Sequence, residues 1–228
     1  SRFSTNHPRG AGGGGGARDP GLGAFTGIAP DGGIGKVSNV TGREIYYAGG
    51  GGGSSNSAGI NPNGRGGFGG GADGRNGNGT NYLGGGGGGD GGAGGKGFLQ
   101  LNYRSRQIIP VTNNSIEGGT VSEYIKDETK YIVHTFTTND ILSINSINPD
   151  TTFDMLIVAG GGGGSNDTKA GGGGGAGGLI YLENQTLEPG DYNVTIGYGG
   201  FAGGQGGNSS IEHTVSSIFR KVAIGGGA

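Results

Sequence analysis

The sequence predicts an all-β protein: a sandwich of short strands combined with a bundle of polyglycine II helices, with little or no α-helix. Three observations lead there. Glycine supplies 64 of 228 residues, against an average share of about 7%. Much of it is gathered into runs of five or six, at Gly12–Gly16, Gly49–Gly53, Gly84–Gly89, Gly160–Gly164 and Gly171–Gly175. The apolar segments between the runs are short and alternate or run continuously, as strands do, and no window carries a helical period.

Glycine divides the chain. Between Phe98 and Val158 it occurs only at Gly118 and Gly119. The division is therefore a glycine-rich segment 1–97, a β-strand segment 98–158 and a second glycine-rich segment 159–228. Within the middle part, 104–130 is polar, carries Pro110 and the Gly118-Gly119 pair, and reads as a connector.

The strands follow from side-chain pattern. Phe98-Leu99-Gln100-Leu101-Asn102-Tyr103 places Leu99, Leu101 and Tyr103 on one face. Tyr131 to Thr138 is β-branched and aromatic. Phe153 to Val158 is a short apolar run between the turn signal Asn148-Pro149-Asp150 and glycine, which suits a strand buried on both faces. Leu179 to Leu182 is strand-like. Glu188-Pro189-Gly190-Asp191 places Pro and Gly for a type II turn. Tyr192, Val194, Ile196 and Tyr198 then alternate, so Leu187 to Gly197 is expected to be a hairpin. Ile218, Val222 and Ile224 are expected to share one face of a last strand.

A glycine run alone is a flexible linker, because glycine loses more backbone entropy on ordering than any other residue. Many runs of similar length have a second option. The polyglycine II conformation has three residues per turn and no internal hydrogen bonds, so its amides and carbonyls point outward. With hydrogen as every side chain, neighbouring runs can approach closely enough to exchange those bonds. The packed bundle is the expectation here.

Composition excludes several function classes. Basic and acidic residues are balanced, 15 against 17, so the electrostatic footprint of nucleic-acid binding is missing. No apolar stretch is long enough for a membrane-spanning helix, and Ser1 to Gly10 does not read as a signal peptide. Without cysteine, disulfides and thiolate metal sites are impossible. Asp154 to Ala159 followed by Gly160–Gly164 imitates a strand entering a dinucleotide loop, with Glu183 as the distant acid. That fingerprint needs a helix after the glycines, and here Ser165 to Ala170 leads into five more glycines. Gly35-Lys36 and Gly95-Lys96 lack the Ser or Thr of a phosphate loop. Asp73 to Gly79 alternates oxygen ligands with glycine, but it has one carboxylate and no closing Glu, so a polar turn is the better reading. His7, His134 and His213 are scattered. No catalytic, cofactor-binding or metal-ligating residue is assigned, and the chain is expected not to be an enzyme.

Seven Asn-x-Ser/Thr sequons occur, at Asn39, Asn78, Asn113, Asn166, Asn184, Asn193 and Asn208. They are candidate glycosylation sites. Asn and Thr are also favoured at turns and strand edges, which explains the same pattern without glycans.

A series of motifs in the second half is familiar. Tyr131-Ile132-Val133-His134-Thr135-Phe136 is followed by a Leu-Ile-Val-Ala-Gly-Gly-Gly element, Leu156 to Gly162. Gly174 to Tyr181 reads Gly-Gly-Ala-Gly-Gly-Leu-Ile-Tyr. Next come Leu187 to Gly197, Asn208 to Ser210, and Ala-Ile-Gly-Gly-Gly at Ala223 to Gly227. This order resembles the glycine-rich domain of phage tail-fibre adhesins and of related large secreted or environmental glycine-rich repeat proteins. The resemblance implies a β-sandwich with polyglycine helices and a role in attachment.

In that family the last element continues into more glycine runs and a closing strand such as Gly95 to Leu101. This chain carries those pieces at its beginning, and reading Ala228 into Ser1 restores the order. The chain is expected to be one period of a tandem array, or a subunit completing its bundle with a neighbour, with Ser1 and Ala228 at the junction. The first functional expectation is a structural repeat or subunit of an extracellular filament, assembled head-to-tail with itself as partner. The second is a tail-fibre or cell-surface adhesin that binds a receptor or glycan through loops between the helices. The expected location is an extracellular filament or a virion surface.

Overall fold

The computed structural model describes residues 10–24, 28–55, 63–104, 114–167, 170–215 and 219–228. The described residues are all-β, with no helix. In chain order the strands are β1 (Lys36–Ser38), β2 (Ile45–Tyr47), β3 (Phe98–Arg104), β4 (Ser115–Glu117), β5 (Thr120–Lys126) and β6 (Thr129–Phe136). They continue with β7 (Asp140–Ser146), β8 (Phe153–Val158), β9 (Leu179–Gln185), β10 (Gly190–Thr195), β11 (Ser209–His213) and β12 (Arg220–Ala223). One five-stranded sheet has the order β5-β6-β3-β8-β9, a second the order β12-β11-β10-β7-β4, and β1 and β2 form a separate ribbon. All strand pairings are antiparallel.

β3 occupies the middle of the first sheet, between β6 and β8, and is buried along six of its seven residues. Its two faces serve two cores. Leu99, Leu101 and Tyr103 point the same way, as their alternation predicts, and meet Leu142, Ile144, Tyr192, Val194 and Ile211 of the second sheet. Side chains from both sheets thus form one core. Removing a Leu-sized side chain from water stabilises by roughly 1.5–3 kcal/mol, and Leu99, Leu101, Leu142 and Ile211 are all fully enclosed. On its other face Phe98 joins Leu156 and Val158 beneath the ribbon, where the Tyr47 ring stacks on Phe98 at 5.1 Å. Burial pushes the Tyr47 hydroxyl up to about 12.

Two of the connections that cross between the sheets turn at positive-φ glycines. β4 lies in the second sheet and β5 in the first, so Gly118-Gly119 spans the gap. Both residues have positive φ, +119° and +62°, a region that favours glycine. Gly119 N donates to Asp140 Oδ2 at 3.0 Å. The stretch 104–130, expected as a connector, therefore carries two strands of its own. Its polarity reflects an exposed sheet edge, since β5 buries little of its surface.

The second crossing corrects the hairpin expected at Leu187 to Gly197. β9 pairs with β8 in the first sheet, whereas β10 pairs with β7 and β11 in the second. Pro189-Gly190 is a corner between sheets, with Gly190 at φ +142°. Tyr192 Oη donates to the Glu188 carbonyl at 2.9 Å, the geometry of a tyrosine corner. Tyr192 itself is buried in the shared core. The last strand is β12, whose Ala223 faces the core; Ile224 lies just beyond it and is exposed, and Ile218 lies outside the described residues.

Candidate functional site

The glycine runs leave the sheets at the ends of strands, Gly160–Gly164 following β8 and Gly84–Gly97 leading into β3. They pack against one another. Gly49–Gly53, Gly84–Gly89 and Gly160–Gly164 are buried throughout, while the flanking run from Gly171 is buried at Gly171, Gly174 and Gly177, every third residue. Hydrogen bonds repeat with the same period. Gly86 and Gly89 donate to Gly49 O and Gly52 O. Gly51 and Ser54 donate to Gly174 O and Gly171 O. Gly161 and Gly164 donate to Gly95 O and Gly92 O, and Gly160 and Gly163 to Gly207 O and Gly204 O. Amides three residues apart thus serve the same neighbouring run. These bonds join glycine runs from the first and last parts of the chain, so those runs pack against one another.

The close approach explains the composition. A Cβ on Gly51 would overlap the Gly87 carbonyl, and one on Gly161 would overlap the carbonyl of Gly85. By contrast a Cβ on Gly15 or Gly227 would meet nothing within 4 Å, which places those residues on the bundle's outside.

The end of the bundle remote from the sheets is made of turns. Gly164 donates to Gly92 O, Gly203 donates to Gly164 O, and Gly88 donates to Gly77 O. These bonds gather the turns around Asn76, Asp90, Asn166 and Phe201. A polar clamp ties three of the runs there. Ser54 Oγ donates to Asp90 Oδ1 at 2.5 Å, and Gly171 N donates to the same oxygen at 2.9 Å. Asp90 has φ +66°. Beyond the clamp, Phe201 is 80% exposed, and Asn166 and Asn76 have their side-chain oxygens near the position a Gly91 Cβ would take.

The run after β8, which imitates a dinucleotide loop in sequence, has its five amides engaged. Gly160 to Gly164 donate in turn to Gly207, Gly95, Gly175, Gly204 and Gly92. A dinucleotide loop offers free amides at a helix N-terminus, and this run supplies neither. Glu183 lies on β9, where it accepts from Tyr181 Oη. Burial first, then the carboxylates of Asp154 and Glu183, raise the Tyr181 pKa.

Asp73 to Gly79 forms a turn bonded into the bundle. Asp73 Oδ1 accepts from Gly66 N at 2.8 Å, so its carboxylate has a structural partner. No group of three or more His, Asp or Glu suited to a metal occurs among the described residues. His134 is 1% exposed inside the first sheet. Its Nδ1 lies 2.8 Å from the Gly118 carbonyl, which can only accept, so Nδ1 carries the proton. Nε2 then has no partner among the described residues, and burial lowers the pKa more than the Gly118 bond raises it.

The sequons separate by their surroundings. Asn39, Asn166, Asn184 and Asn193 are exposed. Asn78 and Asn208 are also exposed, but their Oδ1 atoms accept from Ala93 N and Gly225 N, each at 2.9 Å. Asn113 lies outside the described residues, as does Ser1; Ala228 is exposed. An open groove of about 280 Å³ lies between the ribbon and β9, lined by Lys36, Val37, Ser38, Asn39, Glu44, Leu179 and Tyr181. Sequence reasoning missed this groove because three-residue strands give no periodic signal. It missed the Ser54–Asp90 clamp because 36 positions separate the two.

Comparison with known families gives one match: residues 138–228 fit the family model of a glycine-rich domain. The match covers under half of the chain and begins just before β7. No curated protein and no solved structure matches the chain.

Proposed function

We propose that the chain is a non-enzymatic structural module of an extracellular assembly, in which a β-sandwich carries a bundle of polyglycine II helices. The observation that carries this reading is the threefold hydrogen-bond pattern. Gly86 and Gly89, Gly51 and Ser54, and Gly160 and Gly163 each address one neighbour at a spacing of three, the repeat of the polyglycine II helix. The two sheets with one shared core support the sandwich. Amides used up inside the bundle cannot bind a phosphate group, which supports a structural use of the glycine. Copies joined in series would make a filament. The bundle holds runs from both ends of one chain, so such a filament needs contacts between finished modules rather than exchange of glycine runs.

A second reading is favoured by the remote turns. Phe201 and the amides of Asn76 and Asn166 sit together away from the sheets, an arrangement that suits attachment to a receptor or glycan, as in tail-fibre adhesins. Electron microscopy of the native material separates the two. Filaments with a regular repeat of one module support the first reading. Separate particles whose binding to glycan-coated surfaces is lost with Phe201→Ala support the second. Turnover of a small-molecule substrate by the purified chain would overturn both.

A further inference from the structure

The sequence contains three Asn-Gly pairs, Asn63-Gly64, Asn76-Gly77 and Asn78-Gly79. In such a pair the glycine amide can attack the preceding side chain, because no Cβ on the glycine obstructs the approach. The fold treats the three differently. Asn63 Oδ1 accepts from Ser55 N at 3.4 Å, and the buried Gly64 donates its amide to Gly53 O at 3.0 Å. Asn78 Oδ1 accepts from Ala93 N at 2.9 Å, and the buried Gly79 donates to Ala93 O at 2.8 Å. In both pairs the electrophile and the nucleophile are held by separate bonds.

Asn76 is held by neither. It is exposed, its side-chain amide has no hydrogen-bond partner among the described residues, and the Gly77 amide has no acceptor among them. The bond that fixes this residue is its own amide to Gly89 O, at 2.8 Å. Arg75 and Asn76 also both have positive φ, +61° and +62°, a conformation that side-chain-bearing residues seldom adopt. Leaving this turn therefore loses few contacts and relieves an unfavourable backbone.

We propose that Asn76 is a site of spontaneous deamidation, while the same dipeptide at Asn63 and Asn78 is protected by the bundle. Gly77 N, having lost its proton to hydroxide, attacks Asn76 Cγ. A C–N bond forms, the side-chain nitrogen takes up a proton and leaves as ammonia, and a cyclic imide results. Water then opens either imide carbonyl, giving an aspartate at position 76 or its isoaspartyl isomer. Both products add a negative charge beside Asp73 and Asp90. The isomer also places one more carbon in the main chain between Asn76 N and Gly77 N, which disturbs the bonds of this turn to Gly88 and Gly89. This chemistry is independent of the proposed function.

The test is peptide mapping by mass spectrometry, with fragmentation to separate positions 76 and 78, after incubation of the folded chain at mildly alkaline pH. Conversion at Asn76 is expected to be roughly thirtyfold faster than at Asn63 and Asn78, the effect of about two net hydrogen bonds. In denaturant the three rates should converge, and Asn76→Gln should remove the fast phase alone. Equal rates in the folded chain, or faster conversion at Asn63 or Asn78, would overturn the proposal.

Discussion

The amide of Gly51 donates to the carbonyl of Gly174 at 2.9 Å, and the amide of Gly174 passes the chain of bonds on to Gly87 at 2.7 Å. Three runs from distant parts of the sequence therefore meet at one level of the bundle. No side chain can stand at that crossing, because every outward direction is occupied by a neighbouring backbone.

Gly51→Val should for that reason destabilise strongly. Its Cβ overlaps the Gly87 carbonyl, backbone that cannot rotate away. Overpacking and a lost bond together should amount to about 3 kcal/mol. Gly15→Ala is the matched control, since a Cβ there meets nothing within 4 Å. It should change stability by no more than about 0.5 kcal/mol. Denaturant unfolding of both variants checks the pair; equal effects would contradict the packing.

Tyr192→Phe should cost about 1 kcal/mol, because it deletes the bond to the Glu188 carbonyl while leaving the ring in the core. Thermal unfolding measures it. An unchanged midpoint would mean that Pro189-Gly190 holds the corner without the hydroxyl.

The clamp at the remote end has a local readout. In Asp90→Ala the Gly171 amide and the Ser54 hydroxyl lose their shared carboxylate acceptor, and the amide keeps only the neutral Ser54 Oγ, at 2.7 Å. Hydrogen exchange at Gly171 should accelerate, with little change at Leu101 in the middle of β3. Uniform acceleration everywhere would show instead that the variant loosens the whole fold.

Stability should fall in mild acid. His134 has its pKa lowered below the ordinary 6.5, by burial first, with the Gly118 bond opposing. The native state therefore holds fewer protons than the unfolded chain in that range. This contribution is complete above about 6.5 and is lost as pH falls below it toward the native value. Denaturant unfolding at about pH 7.5 and about pH 5 should show a drop that is smaller in His134→Gln. The same drop in both proteins would assign it to other groups.

Much of this architecture was legible in the sequence where a strand was long. Leu99, Leu101 and Tyr103 declare their shared face by alternation, and Met155 to Val158 declares burial on both sides by four apolar residues in succession. The ribbon was not legible, because Lys36–Ser38 and Ile45–Tyr47 are each three residues long and show no period. Leu187 to Gly197 misled because a Pro-Gly turn before an alternating strand looks the same for a hairpin and for a crossing between sheets. The distinguishing signal was Tyr192, four residues beyond the carbonyl it bonds. The spacing of the glycine runs suggested a bundle, but not which runs touch, since identical residues carry no register. The meeting of Phe201 with Asn76 and Asn166 was not legible for a related reason: nothing in a local window marks residues gathered from three separate turns.

The central claim is that the glycine runs at both ends of one chain bond to each other within that chain. Amide hydrogen exchange of the dilute monomer, resolved by residue, tests it most directly. The amides of Gly51, Gly87, Gly162 and Gly174 should be protected to the same degree as those of β3, at every protein concentration. Exchange at the rate of a free peptide, or protection that appears only as copies associate, would contradict the claim.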